Sequence, residues 1–388
     1  MPNMLPAPTA ALLSDAVYNL RPLGNDNVLA AFRQGAGSRA AFDRDFADFE
    51  ISSDTPRFTG ESGAIIKKTT GFATLLKMRG GSEYALTLRG TQMTSASDWL
   101  SNGNITMDKG STGVPVHAGF NRIFKSMHQD IRNAMRGLNP TTVHVMGHSL
   151  GGALANLFAA EFSVNQKLDV RLYTFGAPRP GTSFFTNQLA QQLQGVKSAR
   201  VFDYADPVPM IPLWPFYHCP TAPMGLETGA GAINPFAHKM GANYAKQVAG
   251  GWPPIATRPP NQTVKYWLDK ADTCSGPFSW VACKALGYAL NGLLKLAQGL
   301  GIGLNLTVMG IVTLLDQLSN ILMFVARLVG EIGDAVLGFI RSALRFLGLA
   351  ARATVSMADL TTQFIRSILD RMYSFVASQA SRALGRPN

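Results

Sequence analysis

Gly147-His-Ser-Leu-Gly151 follows the β-branched run Thr142-Val-His-Val-Met146 and opens the apolar stretch Gly152-Ala-Leu-Ala-Asn-Leu-Phe-Ala-Ala-Glu-Phe162. Strand, Gly-x-Ser-x-Gly turn and helix in that order read as a nucleophile elbow. The turn is so tight that a Cβ at Gly147 or Gly151 would collide with backbone, and it leaves the Ser149 hydroxyl at its tip. A bare Gly-x-Ser-x-Gly arises by chance in many chains; here the flanking strand and helix supply the context the motif requires. The chemistry on offer is acyl transfer through an ester on Ser149. It needs a histidine to take the hydroxyl proton and a carboxylate to fix that histidine's tautomer.

With an elbow of this type the acid and then the histidine follow the serine in the chain. Val170-Arg-Leu-Tyr-Thr-Phe175 and Ala199-Arg-Val-Phe-Asp-Tyr204 read as the next two strands, and the second runs into Ala205-Asp206-Pro207. Asp206 therefore stands just past a strand end, where open parallel sheets collect their chemistry. Asp203 is the rival, placed within the strand run and expected to be solvated or paired with a local base. Beyond Asp206 the chain has two histidines, His218 and His238. The residues alone leave both open.

Five segments together resemble the class 3, fungal-type triacylglycerol lipases. They are Leu88-Arg-Gly-Thr91 with Asp98-Trp99, Val116-His-Ala-Gly-Phe120, the elbow from Gly147 to Gly152, Tyr173-Thr-Phe-Gly-Ala-Pro-Arg-Pro-Gly181, and Asp206-Pro-Val-Pro-Met-Ile-Pro212. They span about residues 80 to 245 and are far more specific than the elbow alone. The resemblance implies that the histidine lies in a His-x-Met-x-x-x-Tyr-like segment, which His238-Lys-Met-Gly-Ala-Asn-Tyr244 matches. His238 is then the base, and His218 corresponds to a packed histidine that the family often carries just before it. The expected catalytic set is Ser149, Asp206 and His238.

Acyl transfer also needs donors for the oxyanion. One is the backbone N–H of Leu150, at a helix N-terminus whose dipole favours negative charge. The resemblance places the second at Thr91. Arg89, just before it, reads as a structural ion-pair partner. The polar stretch between Thr91 and Val116, with scattered Met93, Trp99, Leu100, Ile105 and Met107, reads equally as a lid or a plain surface loop.

These side chains call for an α/β fold: an α/β-hydrolase-like core with a central, mostly parallel sheet, followed by an all-α C-terminal module. The Pro- and Gly-rich stretch from Gly250 to Pro260 marks the boundary, with a class 3 lipase-like domain over 1–255 and an apolar and amphipathic helical module over 262–388. From Leu296 to Leu315 the chain carries no charge, a run long enough to span a bilayer. Against spanning, Gly299, Gly301, Gly303 and Gly310 weaken the helix, and Gln298, Asn305, Asp316 and Arg327 share a narrow polar stripe. Asp334, Arg341, Arg345 and Arg352 oppose Ile332, Val336, Ile340, Leu344 and Leu347; Leu360, Phe364, Ile368 and Phe375 oppose Arg366 and Asp370. A soluble bundle, a membrane-associated set of helices and an oligomerisation platform all call for such stripes, so the oligomeric state stays open.

The formal net charge of +11 is shared between the two parts, and a basic surface suits anionic headgroups. Neither a basic run nor an aromatic-basic interleaving points to nucleic acid. Cys219, Cys274 and Cys283 cannot all pair, and free thiols are expected. His117, His128 and His144 have no metal-ligand spacing and read as packed or surface histidines; no metal and no cofactor is expected. The first fifteen residues lack the basic and apolar regions of a secretory signal. The expectation is a protein made in the cytoplasm, membrane-associated, and exported if at all by a non-classical route. The function expected is a serine ester hydrolase of lipids, a lipase or phospholipase acting through an acyl-enzyme at a membrane surface. It also resembles secreted bacterial lipase effectors, which implies a delivery or inhibitor partner. The alternatives are a membrane-binding scaffold with a vestigial hydrolase domain and a soluble short-chain esterase.

Overall fold

In the computed structural model, Thr142–His148 forms a strand with all seven residues buried, the pattern of a strand covered on both faces. It lies near the centre of the main sheet. Numbered in chain order, the strands are β1 (Phe49–Glu50), β2 (Arg57–Ser62), β3 (Lys68–Met78), β4 (Glu83–Leu88), β5 (Met107–Lys109), β6 (Pro115–His117), β7 (Thr142–His148), β8 (Val170–Phe175), β9 (Gly181–Thr182), β10 (Ser198–Asp203), β11 (Phe216–Tyr217) and β12 (Pro223–Leu226). The structure describes residues 4–20, 27–62, 68–90, 106–194, 197–212, 215–219, 221–228, 231–256, 262–274, 276–300, 314–328, 330–349 and 354–385.

Among the described residues the main sheet has eight strands, in the order β1-β3-β4-β7-β8-β10-β12 with β2 also on β3. The neighbours from β4 to β12 run parallel, and β1, β2 and β3 add an antiparallel edge. The mostly parallel sheet expected from sequence is thus present. A second, small sheet joins β11, β9, β6 and β5.

Helices α1 (Ala7–Ala16), α2 (Val28–Ala36) and α3 (Arg39–Asp45) precede the sheet, and α4 (Ala118–Met135), α5 (Leu150–Ala160) and α6 (Ser183–Gln192) connect its strands. Phe120, Ile123, Phe124, Met127, Ile131 and Met135 are buried along α4, the spacing of one apolar face. Helix α5 is buried on every side, as a central crossover helix must be. Helix α1 has little amphipathic character because it too is core: Ala7, Ala10, Ala11, Leu13, Ser14 and Ala16 are all buried.

The chain falls into two units, each discontinuous in sequence: Met1–Glu227 with Pro235–Ala256 and Ala380–Asn388, and Thr228–Asn234 with Thr257–Gln379. The second is helical, with α7 (Val264–Asp272), α8 (Trp280–Gly299), α9 (Leu314–Ala326), α10 (Glu331–Phe346) and most of α11 (Thr362–Leu384). Thr263 and Ser279 cap α7 and α8 by accepting the N–H groups of Tyr266 and Ala282. Val336, Ile340 and Leu344 of α10 are fully buried, as their spacing predicts. On α11 the buried seam runs through Ile365, Ile368, Leu369, Tyr373 and Val376. It is rotated from the expected Leu360, Phe364, Ile368 and Phe375 because Phe364 and Phe375 are only half-buried.

The uncharged run divides between the end of α8 and the start of α9; its residues 301–313, with Asn305, lie outside the described set. Among the described residues no helix is long and apolar enough to cross a membrane. Asp316, on the proposed polar stripe, pairs with Arg366. Arg345 pairs with Asp272, and Arg341 donates to the Val355 carbonyl. Among the described residues no disulfide joins Cys219, Cys274 or Cys283.

Candidate active site

Ser149 sits between β7 and α5 with φ 60° and ψ −133°, a left-handed backbone rare for a residue with a Cβ. The conformation is enforced by close backbone packing. A Cβ at Gly147 would stand 2.4 Å from the Gly151 carbonyl oxygen, and one at Gly151 only 2.1 Å from the Leu88 carbonyl oxygen. Both elbow glycines are therefore required for the reason the motif suggests. Leu150 opens α5, so its N–H belongs to the first-turn donors that a helix leaves unpaired internally.

His238 ends a one-turn helix at Pro235–His238. Its Nε2 lies 2.9 Å from Ser149 Oγ and its Nδ1 lies 2.8 Å from Asp206 Oδ2. Serine, histidine and acid all lie within 2% of full burial, so these contacts form out of water, where they are strongest. Asp206 follows the end of β10 by three residues, in the turn where the sequence places the acid. Its Oδ1 accepts the Val208 N–H at 2.8 Å, and its Oδ2 also accepts the Tyr244 hydroxyl at 2.6 Å. Burial first, and then the charge of Asp206, push the Tyr244 phenol well above its ordinary range, so it remains a donor. Gly176, at φ 55°, leaves room for this group: a Cβ there would meet Asp206 Oδ2 at 2.9 Å and the Tyr244 hydroxyl at 3.0 Å.

Asp203 does not reach His238. Contrary to the expectation of a solvated or base-paired carboxylate, it is 1% exposed. Its Oδ1 accepts the Ala205 N–H at 2.8 Å and its Oδ2 the Asn243 side-chain amide at 3.0 Å. Asn243 in turn donates to the Ala237 carbonyl at 2.6 Å, so Asp203 braces the loop that carries His238. His218 is not hydrogen-bonded to Ser149. It donates Nε2–H to the Pro209 carbonyl at 2.8 Å, and burial holds it well below the usual imidazole range. The structure thus brings Ser149, Asp206 and His238 together and leaves His218 in a packing role.

Thr91 and residues 92–105 of the candidate lid lie outside the described residues. The preceding Gly90 lies against the elbow: a Cβ there would stand 3.0 Å from Ser149 Cβ and 2.4 Å from the Tyr18 hydroxyl. Arg89 donates to the Leu20 carbonyl and stands over the Tyr18 ring, 5.6 Å from its centroid, so it is engaged by the N-terminal segment.

Sequence reasoning missed Tyr18, His148, Asn243 and Gly176. His148 lay inside the elbow motif and Asn243 inside the His238 segment, but no local signal ties Tyr18 to a histidine 130 residues away. Of the other histidines, His117 is buried against Phe120 and Phe216, His144 bonds to Tyr173 and Glu83, and His128 pairs with Glu161. Among the described residues no group of histidine, cysteine and acid side chains is arranged to hold a metal.

The family model described as Lipase (class 3) matches residues 85–216. Secreted mono- and diacylglycerol lipase 1 of Fusarium solani is 32% identical over 169 residues, 42% of this chain and 49% of that protein. Phospholipase A(1) DAD1, chloroplastic, of Arabidopsis thaliana is 27% identical over 157 residues, 34% of each chain. The chain thus spans about half the length, or less, of these curated relatives. Among solved structures, M37 lipase aligns with a TM-score of 0.46 at 16% identity, covering 64% of this chain and 94% of that one. Lipase II from Rhizopus niveus aligns with 0.44 at 20% identity, covering 57% and 80%.

Proposed function

We propose that this chain, whose residues 85–216 match the family model described as Lipase (class 3), is a serine hydrolase of lipid esters. The observation that carries the proposal is the hydrogen-bonded series from Ser149 Oγ through both nitrogens of His238 to Asp206. In this reading Ser149 Oγ attacks the ester carbonyl as His238 Nε2 takes its proton. Asp206 fixes the Nδ1–H tautomer and stabilises the imidazolium that forms. His238 then returns the proton to the departing alkoxide. In the second half-reaction it activates a water that cleaves the acyl-enzyme and frees Ser149.

The oxyanion is held by the Leu150 N–H, and by Thr91 as the family resemblance implies. Loss of one such donor costs about 3 kcal/mol of transition-state stabilisation. No cofactor enters this scheme. The catalytic domain is residues 1–255, and 262–388 is a helical module that holds the enzyme at a lipid surface.

The substrate proposed is a glycerolipid at an anionic bilayer. Proteins named mono- and diacylglycerol lipase and phospholipase A1 are both similar to part of this chain, and the charge of +11 favours the phospholipid. Purified protein on mixed vesicles of phosphatidylcholine, phosphatidylglycerol and diacylglycerol tests this by mass spectrometry of the products. Free fatty acid with lysophospholipid is expected, and faster turnover as phosphatidylglycerol increases. Hydrolysis confined to soluble short-chain esters overturns the lipid assignment, and no hydrolysis of any ester overturns the enzyme.

A further inference from the structure

His148 stands beside the nucleophile in sequence, yet its side chain turns toward the histidine loop. It is 1% exposed. Its Nε2 lies 2.7 Å from the main-chain carbonyl oxygen of His238, its Nδ1 lies 2.8 Å from the Tyr18 hydroxyl, and the two imidazole rings pack with centroids 4.5 Å apart. A carbonyl can only accept, so Nε2 must carry the proton. Nδ1 is then a bare acceptor, and the Tyr18 hydroxyl must donate to it. The neutral ring is thereby fixed in one tautomer by its two partners. Burial, and next the neighbouring His238, hold it well below the ordinary imidazole range. A neutral neighbour is what His238 needs when it becomes an imidazolium during the reaction.

Tyr18 is itself held in place. It lies in the one-turn helix Val17–Asn19 after α1, its ring is capped by the Arg89 guanidinium, and its hydroxyl fills the space left by the missing Cβ of Gly90. Ser149 and His238 come from segments 89 residues apart, and Asp206 meets only the far side of the imidazole. The contact from His148 reaches the backbone of His238 directly from the residue that precedes the nucleophile.

We propose that Tyr18 and His148 are positioning residues, which hold the backbone of His238 at the distance from Ser149 that proton transfer requires. The role rests on the serine-hydrolase reading. Through it the N-terminal segment becomes part of the catalytic apparatus, because the hydroxyl that fixes the His148 tautomer is supplied from residue 18.

The test uses the full chain, p-nitrophenyl butyrate as a soluble ester and a p-nitrophenyl phosphonate to count reactive serines. His148→Leu removes the donor to His238. It is expected to lower kcat per labelled site about 30- to 100-fold with KM within threefold, as a displacement of about 1 Å at the base would. His148→Gln, whose amide can donate from the position of Nε2, should recover most of that loss. Tyr18→Phe should lower kcat about 3- to 10-fold, and should add nothing in the His148→Leu background because the two act as one unit. If His148→Leu does not fold, Tyr18→Phe alone decides: an unchanged kcat overturns the role. A reactive wild type whose His148→Leu variant keeps its kcat per labelled site, losing only thermal stability, overturns positioning and leaves the hydrolase intact. A wild type that neither reacts with the phosphonate nor hydrolyses the ester overturns the hydrolase reading and this role with it.

Discussion

Asp203 and Asp206 are both buried and stand three residues apart, yet only Asp206 faces the imidazole of His238. Asp203 turns the other way, onto the Ala205 N–H and the Asn243 amide. The two carboxylates divide the work of the β10 turn, one orienting the histidine ring and one bracing the loop behind it.

Asparagine substitution should separate these roles. In Asp206→Asn, an amide presented to Nδ1 favours the wrong tautomer, and kcat should fall by up to about 10⁴-fold. In Asp203→Asn the acceptor for Ala205 survives, but an amide donor meets the Asn243 donor. That variant should lose about 1–3 kcal/mol of stability and keep kcat within about tenfold per folded molecule. Steady-state kinetics with a thermal melt of each variant provides the check. Equal kcat losses in the two would contradict the division.

For the two histidines, the contrast is activity against fold. His238→Ala removes the base and should leave an ester hydrolase at background rate with a near-normal melting temperature. His218→Ala loses the bond to the Pro209 carbonyl and the packing of the ring, but no contact with Ser149. It should retain most of its kcat while melting a few degrees lower, the usual result of about 1 kcal/mol.

A methyl group at the elbow should be tolerated badly. In Gly151→Ala the new Cβ would lie 2.1 Å from the Leu88 carbonyl oxygen, and the obstacle is backbone that cannot rotate away. The variant should lose about 3 kcal/mol or more and its activity with it, measured by denaturant unfolding and ester turnover. A stable, active Gly151→Ala would mean that the elbow is looser than this packing.

Much of this site was legible in the sequence, for identifiable reasons. The elbow announces itself because its glycines, strand and helix are contiguous. Asp206 could be placed because the end of a parallel strand is a local signal. Choosing His238 over His218 needed the family resemblance, since distance along the chain carries no information about which ring reaches Ser149. Tyr18 could not be read at all: its partner is brought to it by the packing of α1 on the sheet. The helical unit was legible as amphipathic, but the rotation of the α11 seam was not, because half-burial of Phe364 and Phe375 depends on neighbours that the sequence stripe does not specify.

Glu161, at the end of α5, offers a test of the fold's pH dependence. Burial works against its charge, but hydrogen bonds from His128, Asn165, Gln166 and Ser111 outweigh that and bring its carboxyl to about 2. A carboxyl lowered in the folded state contributes stability that is fully present above its unfolded value, near 4.5, and is lost as pH falls toward 2. Glu161→Gln should therefore be less stable at pH 7, and the gap to wild type should close between about pH 4.5 and 2. A gap independent of pH in urea unfolding would show that the carboxylate charge is not what stabilises this corner.

In the proposed reaction Ser149 is the nucleophile, activated by His238. Mass spectrometry of the full-length protein after reaction with a p-nitrophenyl phosphonate addresses it most directly. One adduct per chain is expected, located on Ser149 and missing from Ser149→Ala and His238→Ala. A folded wild type that takes up no phosphonate, or takes it up on another residue, would contradict it.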